Sequence, residues 1–403
     1  MIFKEMMTVK SLKQVVMPVI WLNCIFCMGV FEIPINRPRY FLSAFYVVLI
    51  LTGYFVILYK GIFMGEIIIQ DNETHITLFN IFLGINVIVA IMAIILFWKK
   101  SESLNIIIKR AGIADNTLEM LGIKKDYAKT FRNILYFTTI WTMSNTLIVV
   151  TNIIWDYREI GYWYSIYHTT CMCFPILINS VVDLTFVSLI RCVHIKFQNT
   201  NAVINNLMLW VDESNVKIHN QHDNMPIAFI MRGYKNHKDK IMHIMQTVRH
   251  LHLEITRIAQ QINSIYCLQL LLEMAVHFTA VTSTVYCLYG AMFGRTKISG
   301  EKDIVLLIWA SIYSIKVILV NWLCTSVSTE AYKTGEIIQS LEEFTVDDDL
   351  REEIHQFTQQ IVLNSLKITA FDFFTIDNSL TGAFFATVTT YVVILIQMNP
   401  APT

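Results

Sequence analysis

Seven stretches of this sequence, at about 41–59, 76–98, 133–155, 163–190, 264–291, 304–327 and 378–398, are predominantly apolar and bounded by charged or turn residues. A helix needs about 20 apolar residues to cross the hydrocarbon core, where only a helix or a closed barrel satisfies every backbone group. Runs of this length predict an all-α membrane protein with seven transmembrane helices. Composition agrees, since 15% of the residues are charged against roughly 25% in an ordinary soluble domain. A further run at 15–35 is broken by Pro18, Asn23, Glu32 and Pro34. It reads better as an amphipathic segment on the cytosolic side. With no small-residue cleavage site, it does not read as a signal peptide, and the first span is expected to serve as the signal.

Basic residues orient the spans. With the N-terminus inside, the inner segments carry 25 Lys and Arg: 5 before the first span, 8 from Lys99 to Arg132, 9 from Arg191 to Arg257 and 3 from Lys333 to Lys367. The outer loops carry only Lys60, Arg158, Arg295, Lys297 and Lys302. The positive-inside rule therefore predicts a cytosolic N-terminus and, after seven spans, an extracellular C-terminus. Asn72-Glu73-Thr74 in the first outer loop is a glycosylation acceptor pattern on the matching side, at Asn72.

Catalytic signatures are absent. No paired carboxylates, Ser/His/Asp set, HExxH or Gly-rich phosphate loop stands out, so an enzyme is not expected, nor a cofactor or a nucleic-acid partner. The eight cysteines lie mostly inside apolar runs and suggest neither disulfides nor zinc. His243, His250 and His252 have no partners at ligand spacing and read as solvated or packing residues. From Ile241 onward, apolar residues recur at helical spacing, so the fifth span is expected to continue as a cytosolic helix. Ala331–Leu341 and Leu350–Ile368 read as further cytosolic helices.

In the last span Ala383, Thr387, Thr390, Ile394 and Gln397 share one helix face, opposite Phe384, Phe385, Val388, Val392 and Leu395. A small, hydroxyl-bearing stripe permits close helix packing. Around a shared axis it also gives a wettable pore wall, with Ile394 and Met398 as an apolar constriction and Gln397 at the outer mouth. The outer ends of spans three to six offer aromatic and polar side chains suited to a small ligand: Asn145, Asn152, Trp155, Trp163, Tyr164, Tyr167, His168, His277, Thr282, Tyr286, Trp309 and Tyr313. Glu273 and Lys316 fall near mid-span on consecutive antiparallel helices and are expected to pair. Asp183, Arg191 and His194 are expected at a solvated interface.

The chain closes on Thr389-Thr390-Tyr391-Val392-Val393-Ile394-Leu395-Ile396-Gln397-Met398. This resembles the Thr-Tyr-(five hydrophobics)-Gln-Phe motif that ends insect gustatory receptors, with Met398 in place of Phe. The segment from Phe357 through Asp377 looks like the block that precedes that motif. The resemblance implies a tetrameric ligand-gated cation channel, homomeric or mixed with related subunits, opened by a small-molecule tastant at the membrane of a sensory neuron. It also implies a pore built from the last helix, around Thr390, Tyr391 and Gln397, a cytosolic anchor and an outer ligand pocket. The branch dedicated to sugars commonly has Glu where this chain has Val392, which weakens a sugar assignment. The expected organisation is a cytosolic segment at 1–40; helices one to six at 41–327 with a long cytosolic loop at 191–263; anchor helices at 328–377; and the pore helix with a short outer tail at 378–403. The alternative, a seven-helix G-protein-coupled receptor, would place the N-terminus outside.

Overall fold

The computed structural model describes residues 11–31, 38–63, 73–221, 227–292, 300–343 and 347–398. Ten helices lie among them. α1 (Leu12–Val15) and α2 (Met17–Ile25) are short, whereas α3 (Tyr40–Phe63), α4 (Glu73–Met120), α5 (Tyr127–Ile160), α6 (Tyr162–Gln221), α7 (Ile227–Met292) and α8 (Gly300–Glu343) are long. After α9 (Asp348–Leu363) comes a hairpin of β1 (Thr369–Ala370) and β2 (Phe374–Thr375), and then α10 (Asn378–Met398). The seven helices α3 to α8 and α10 are long and apolar enough to cross a membrane.

Local chemistry sets the boundaries. Asp126 caps α5 by accepting from the Lys129 amide at 2.9 Å. Gly161, at φ 84°, then turns the chain straight into α6. That left-handed backbone is strained for a residue with a side chain. Pro175 lies inside α6, where packing neighbours make a helix-breaking residue tolerable. Asp377 caps α10, its Oδ1 accepting from the amides of Ser379 at 2.9 Å and Leu380 at 3.1 Å.

At 1.5 Å per residue, the 60 residues of α6 and the 66 of α7 form rods of roughly 90 and 100 Å, three times the membrane's hydrocarbon thickness. One end of each rod therefore stands clear of the membrane. There α9 packs on α7 and α8, with Arg249 Nε 2.6 Å from Glu353 Oε1 and Gln360 Nε2 donating to the Arg249 carbonyl at 3.1 Å. His252 is buried between the rings of Phe197 and Phe357, so it is a packing histidine. In the segment expected as a long loop at 191–263 with a helix from Ile241 onward, the described residues are helical on both sides of 222–226, as continuations of α6 and α7.

α6 is the central helix, packing against α2, α3, α4, α5, α7 and α8. The broken run at 15–35 supplies α2, which packs on α5 and α6 rather than crossing as an eighth span. Asn23 Nδ2 there donates to Thr185 Oγ1 at 2.9 Å, so a polar residue that spoils a span becomes a buried contact. The hairpin pairs Thr369 with Thr375 and Ala370 with Phe374. Phe371 and Asp372 sit at φ 51° and 58° in its loop, and Thr369 Oγ1 donates to Asp372 Oδ1 at 2.9 Å. No helical or alternating pattern in the sequence announced this hairpin.

Candidate functional site

Two features concentrate polar chemistry in the apolar bundle. The first is the outward face of α10. Phe384, Val388 and Val392 are buried against α7 and α8. Thr387, Thr390, Ile394 and Gln397, with Ala383, are exposed on the other side, and Met398 is exposed at the tip. The Thr387 and Thr390 hydroxyls donate to the carbonyls of Ala383 at 2.8 Å and Ala386 at 3.0 Å. Their protons are thus used within the helix, and oxygen lone pairs remain for whatever the face meets. Tyr391 reaches sideways onto α7, edge-to-face with Phe278 at 5.4 Å between centroids.

The second feature is a buried cluster among α4 to α8. His277, Trp309 and Tyr313, all expected as ligand contacts, do come together: Tyr313 lies 5.6 Å from the His277 ring and 6.0 Å from Trp309. Phe82, absent from the expected set, closes on both Trp309 and Tyr313. Trp309 Nε1 and Tyr313 Oη lack hydrogen-bond partners among the described residues. Lys316 Nζ donates to Ser180 Oγ at 2.9 Å and lies over the rings of Trp141 and Tyr313. Trp141 Nε1 in turn donates to Ser180 Oγ at 2.9 Å.

The charges are arranged differently from the sequence pattern. Glu273 and Lys316 are both buried in the cluster, but the carboxylate 4.0 Å from the ammonium is Asp183, while Glu273 Oε1 accepts from Gln269 Nε2 at 2.9 Å. Asp183 was expected at a solvated interface. It is 3% exposed, because it faces α7 and α8 from the central helix. Arg191, two turns on, is exposed as expected, and His194 is half-buried. The signal for Asp183 was available: a carboxylate flanked by Val181, Val182 and Leu184 inside an apolar run is a functional candidate by default. Trp141 and Phe82 carried no signal beyond being aromatic.

The remaining candidates scatter. Asn145 Nδ2 donates to the Trp141 carbonyl at 2.7 Å, and Asn152 Nδ2 donates to Cys173 Sγ at 3.3 Å. Tyr167 Oη donates to the Ile57 carbonyl. His168 Nδ1 is 2.7 Å from Asp156 Oδ2. Thr282 and Tyr286 are buried further along α7. Trp163 and Tyr164 point out of the fold, 78% and 51% exposed, as aromatic residues at a membrane interface do. Asn72 lies outside the described residues, as does the Trp155 side chain.

Residues 20–401 match the family model described as 7tm chemosensory receptor. The chain belongs to this family. Among curated relatives, the chemosensory receptor is 24% identical over 297 residues to gustatory receptor 28b of Drosophila melanogaster, a match covering 71% of this chain and 62% of the relative. It is 28% identical over 149 residues to gustatory and pheromone receptor 32a of the same species, covering 37% of this chain and 32% of that one. The chain thus spans less than two thirds of the length of these relatives. Its fold is similar to that of the insect olfactory receptor OR5 from Machilis hrabei, with a TM-score of 0.68 at 14% identity, covering 96% of this chain and 99% of that one. The same receptor in complex with eugenol matches with a TM-score of 0.66.

Proposed function

We propose that this chemosensory receptor chain is a subunit of a tetrameric, ligand-gated, non-selective cation channel in the plasma membrane of a sensory neuron, opened by a small-molecule tastant such as a sugar or a bitter compound. The observation that carries this reading is the two-sided character of α10. Its bulky face is buried against α7 and α8, whereas its small and hydroxyl-bearing face is exposed among the described residues. Several copies packed around an axis would turn that face into a wettable wall narrowed by Ile394 and Met398. The charge count supports a cytosolic N-terminus. In that orientation segment 1–40 and the α9 end of the bundle are cytosolic, residues 328–377 form an anchor, and Gln397 lies at the outer mouth. Family membership and this orientation do not favour coupling through a G protein.

Ligand binding fits the buried cluster, where Trp309, Tyr313 and His277 combine aromatic surface with polar atoms lacking hydrogen-bond partners among the described residues. The homologous fold from Machilis hrabei is in complex with eugenol, a small molecule. A ligand that prefers one arrangement of α7 and α8 shifts α10, which packs on both. The test is whole-cell current from cells expressing this chain, with G-protein signalling blocked, under a panel of sugars and bitter compounds. A rapid cation current altered by Gln397→Ala supports the channel. A response that vanishes with the G-protein block rejects it.

A further inference from the structure

Helices α6, α7 and α8 bring Asp183, Glu273, His277 and Lys316 into one enclosed cluster, each no more than 5% exposed. One ligand atom from each of Asp183, Glu273 and His277 lies within 4.8 Å of the others. Hydrogen bonding fixes what these atoms offer. His277 Nδ1 faces the Glu273 backbone carbonyl oxygen, which can only accept, so Nδ1 carries the hydrogen of the neutral ring. Nε2 then presents a lone pair, aimed at Asp183 Oδ2 across 3.5 Å. Nε2, Asp183 Oδ2 and Glu273 Oε2 have no hydrogen-bond partner among the described residues. Three acceptors without hydrogen-bond partners therefore share one enclosed cluster.

The charges leave a matching remainder. With neutral imidazole, two carboxylates and one ammonium give the cluster a single negative charge. Among the described residues, neighbouring helices do not offset it: α5 contributes Trp141, α4 contributes Phe82, and α6 and α8 add Cys173 and Tyr313. None of these is charged at neutral pH. A buried charge without its complement is strongly unfavourable. One unit of positive charge among the three acceptors closes both the charge count and the bonding pattern, whereas a divalent ion would leave an excess. Three atoms at most 4.8 Å apart leave a common centre no more than about 2.8 Å from each in a regular arrangement, room for a bare cation near the roughly 2.3–2.6 Å of hard-cation coordination.

We propose that Asp183, Glu273 and His277 form a binding site for one sodium ion inside each copy of the chain. The site ties α6 to α7, so an ion bound there favours the folded arrangement by mass action. It stands independently of the channel reading, since neither the pore nor a tastant enters the argument.

The experiment uses the full chain in nanodiscs of neutral lipid and follows its thermal midpoint. Sodium is titrated against N-methyl-D-glucamine at constant ionic strength and pH, and then pH is varied from 8 to 5 at constant sodium. The midpoint is expected to rise with sodium, with a limiting tenfold gain in the folded-to-unfolded ratio per tenfold increase in sodium, as one bound ion requires. A sodium effect at fixed pH supports the site, and an acid effect without a sodium effect overturns it. Asp183→Asn and Glu273→Gln, each removing the surplus charge, should flatten that response. The wild-type titrations need no variant to fold: a midpoint indifferent to sodium overturns the proposal, as does a sodium response that survives both substitutions.

Discussion

Asn321 of α8 donates through Nδ2 to Thr381 Oγ1 of α10 at 2.9 Å, a side-chain bond between the helix that carries Lys316 and the helix proposed to line the pore. Inter-helix bonds of this kind in membranes contribute about 0.6 kcal/mol on average, with a ceiling near 1.7. A double-mutant cycle with Asn321→Leu and Thr381→Val should return a coupling of that size in thermal stability. Additive effects would show that the bond contributes nothing.

Lys316 is the only ammonium among the described groups of the buried cluster. Lys316→Met strands Asp183 and Glu273, and breaking a buried pair from one side costs about 3–5 kcal/mol. Size-exclusion profiles of the detergent-solubilised protein should show the variant mostly aggregated. Lys316→Met combined with Asp183→Asn should recover a monodisperse fraction. Equal damage from the single and double changes would show that Asp183 is not the partner.

Asp377 holds the first turn of α10, and its hydrogen bonds from Ser379, Leu380 and Thr375 keep the carboxyl below its usual titration range. Its pKa is lower in the folded state, so its contribution to stability is present above about pH 4, the unfolded carboxylate value, and fades as pH falls through the lower folded value. Asp377→Ala removes the cap and should cost about 1 kcal/mol at neutral pH. Thermal midpoints at pH 7 and pH 3.5 should differ less in the variant than in the wild type.

Ile394 is the apolar member of the exposed α10 stripe. Ile394→Ser should wet the constriction and raise the current in the absence of ligand, while Thr387→Ser, which keeps the hydroxyl, should leave the resting current unchanged. Patch-clamp recording at matched surface expression measures both. An unchanged resting current in Ile394→Ser would place the constriction elsewhere.

Much of this architecture is legible in the sequence because hydrocarbon imposes strict terms on it. A run such as Phe41–Tyr59 can hardly be anything but a span, and the face shared by Thr387, Thr390 and Ile394 follows from helical spacing alone. What escaped depends on partners distant in the chain. Phe82 joins Trp309 and Tyr313 only through the α4–α7–α8 arrangement, and the hairpin at 369–375 holds through Asn263, which bonds Thr369 from α7. Sequence adjacency of spans suggested Glu273 as the partner of Lys316; both lie in the buried cluster, and the central position of α6 adds Asp183, 4.0 Å from the ammonium, which the sequence pattern did not single out.

The unbroken run of α7 from Ile227 to Met292 has a mechanical consequence. With no proline inside it, α7 holds the Arg249 contact to α9 and the Phe278 contact to α10 on one continuous rod. Under the channel reading, substitutions around Arg249 and Glu353 are therefore expected to alter gating without touching any residue of the proposed ligand cluster.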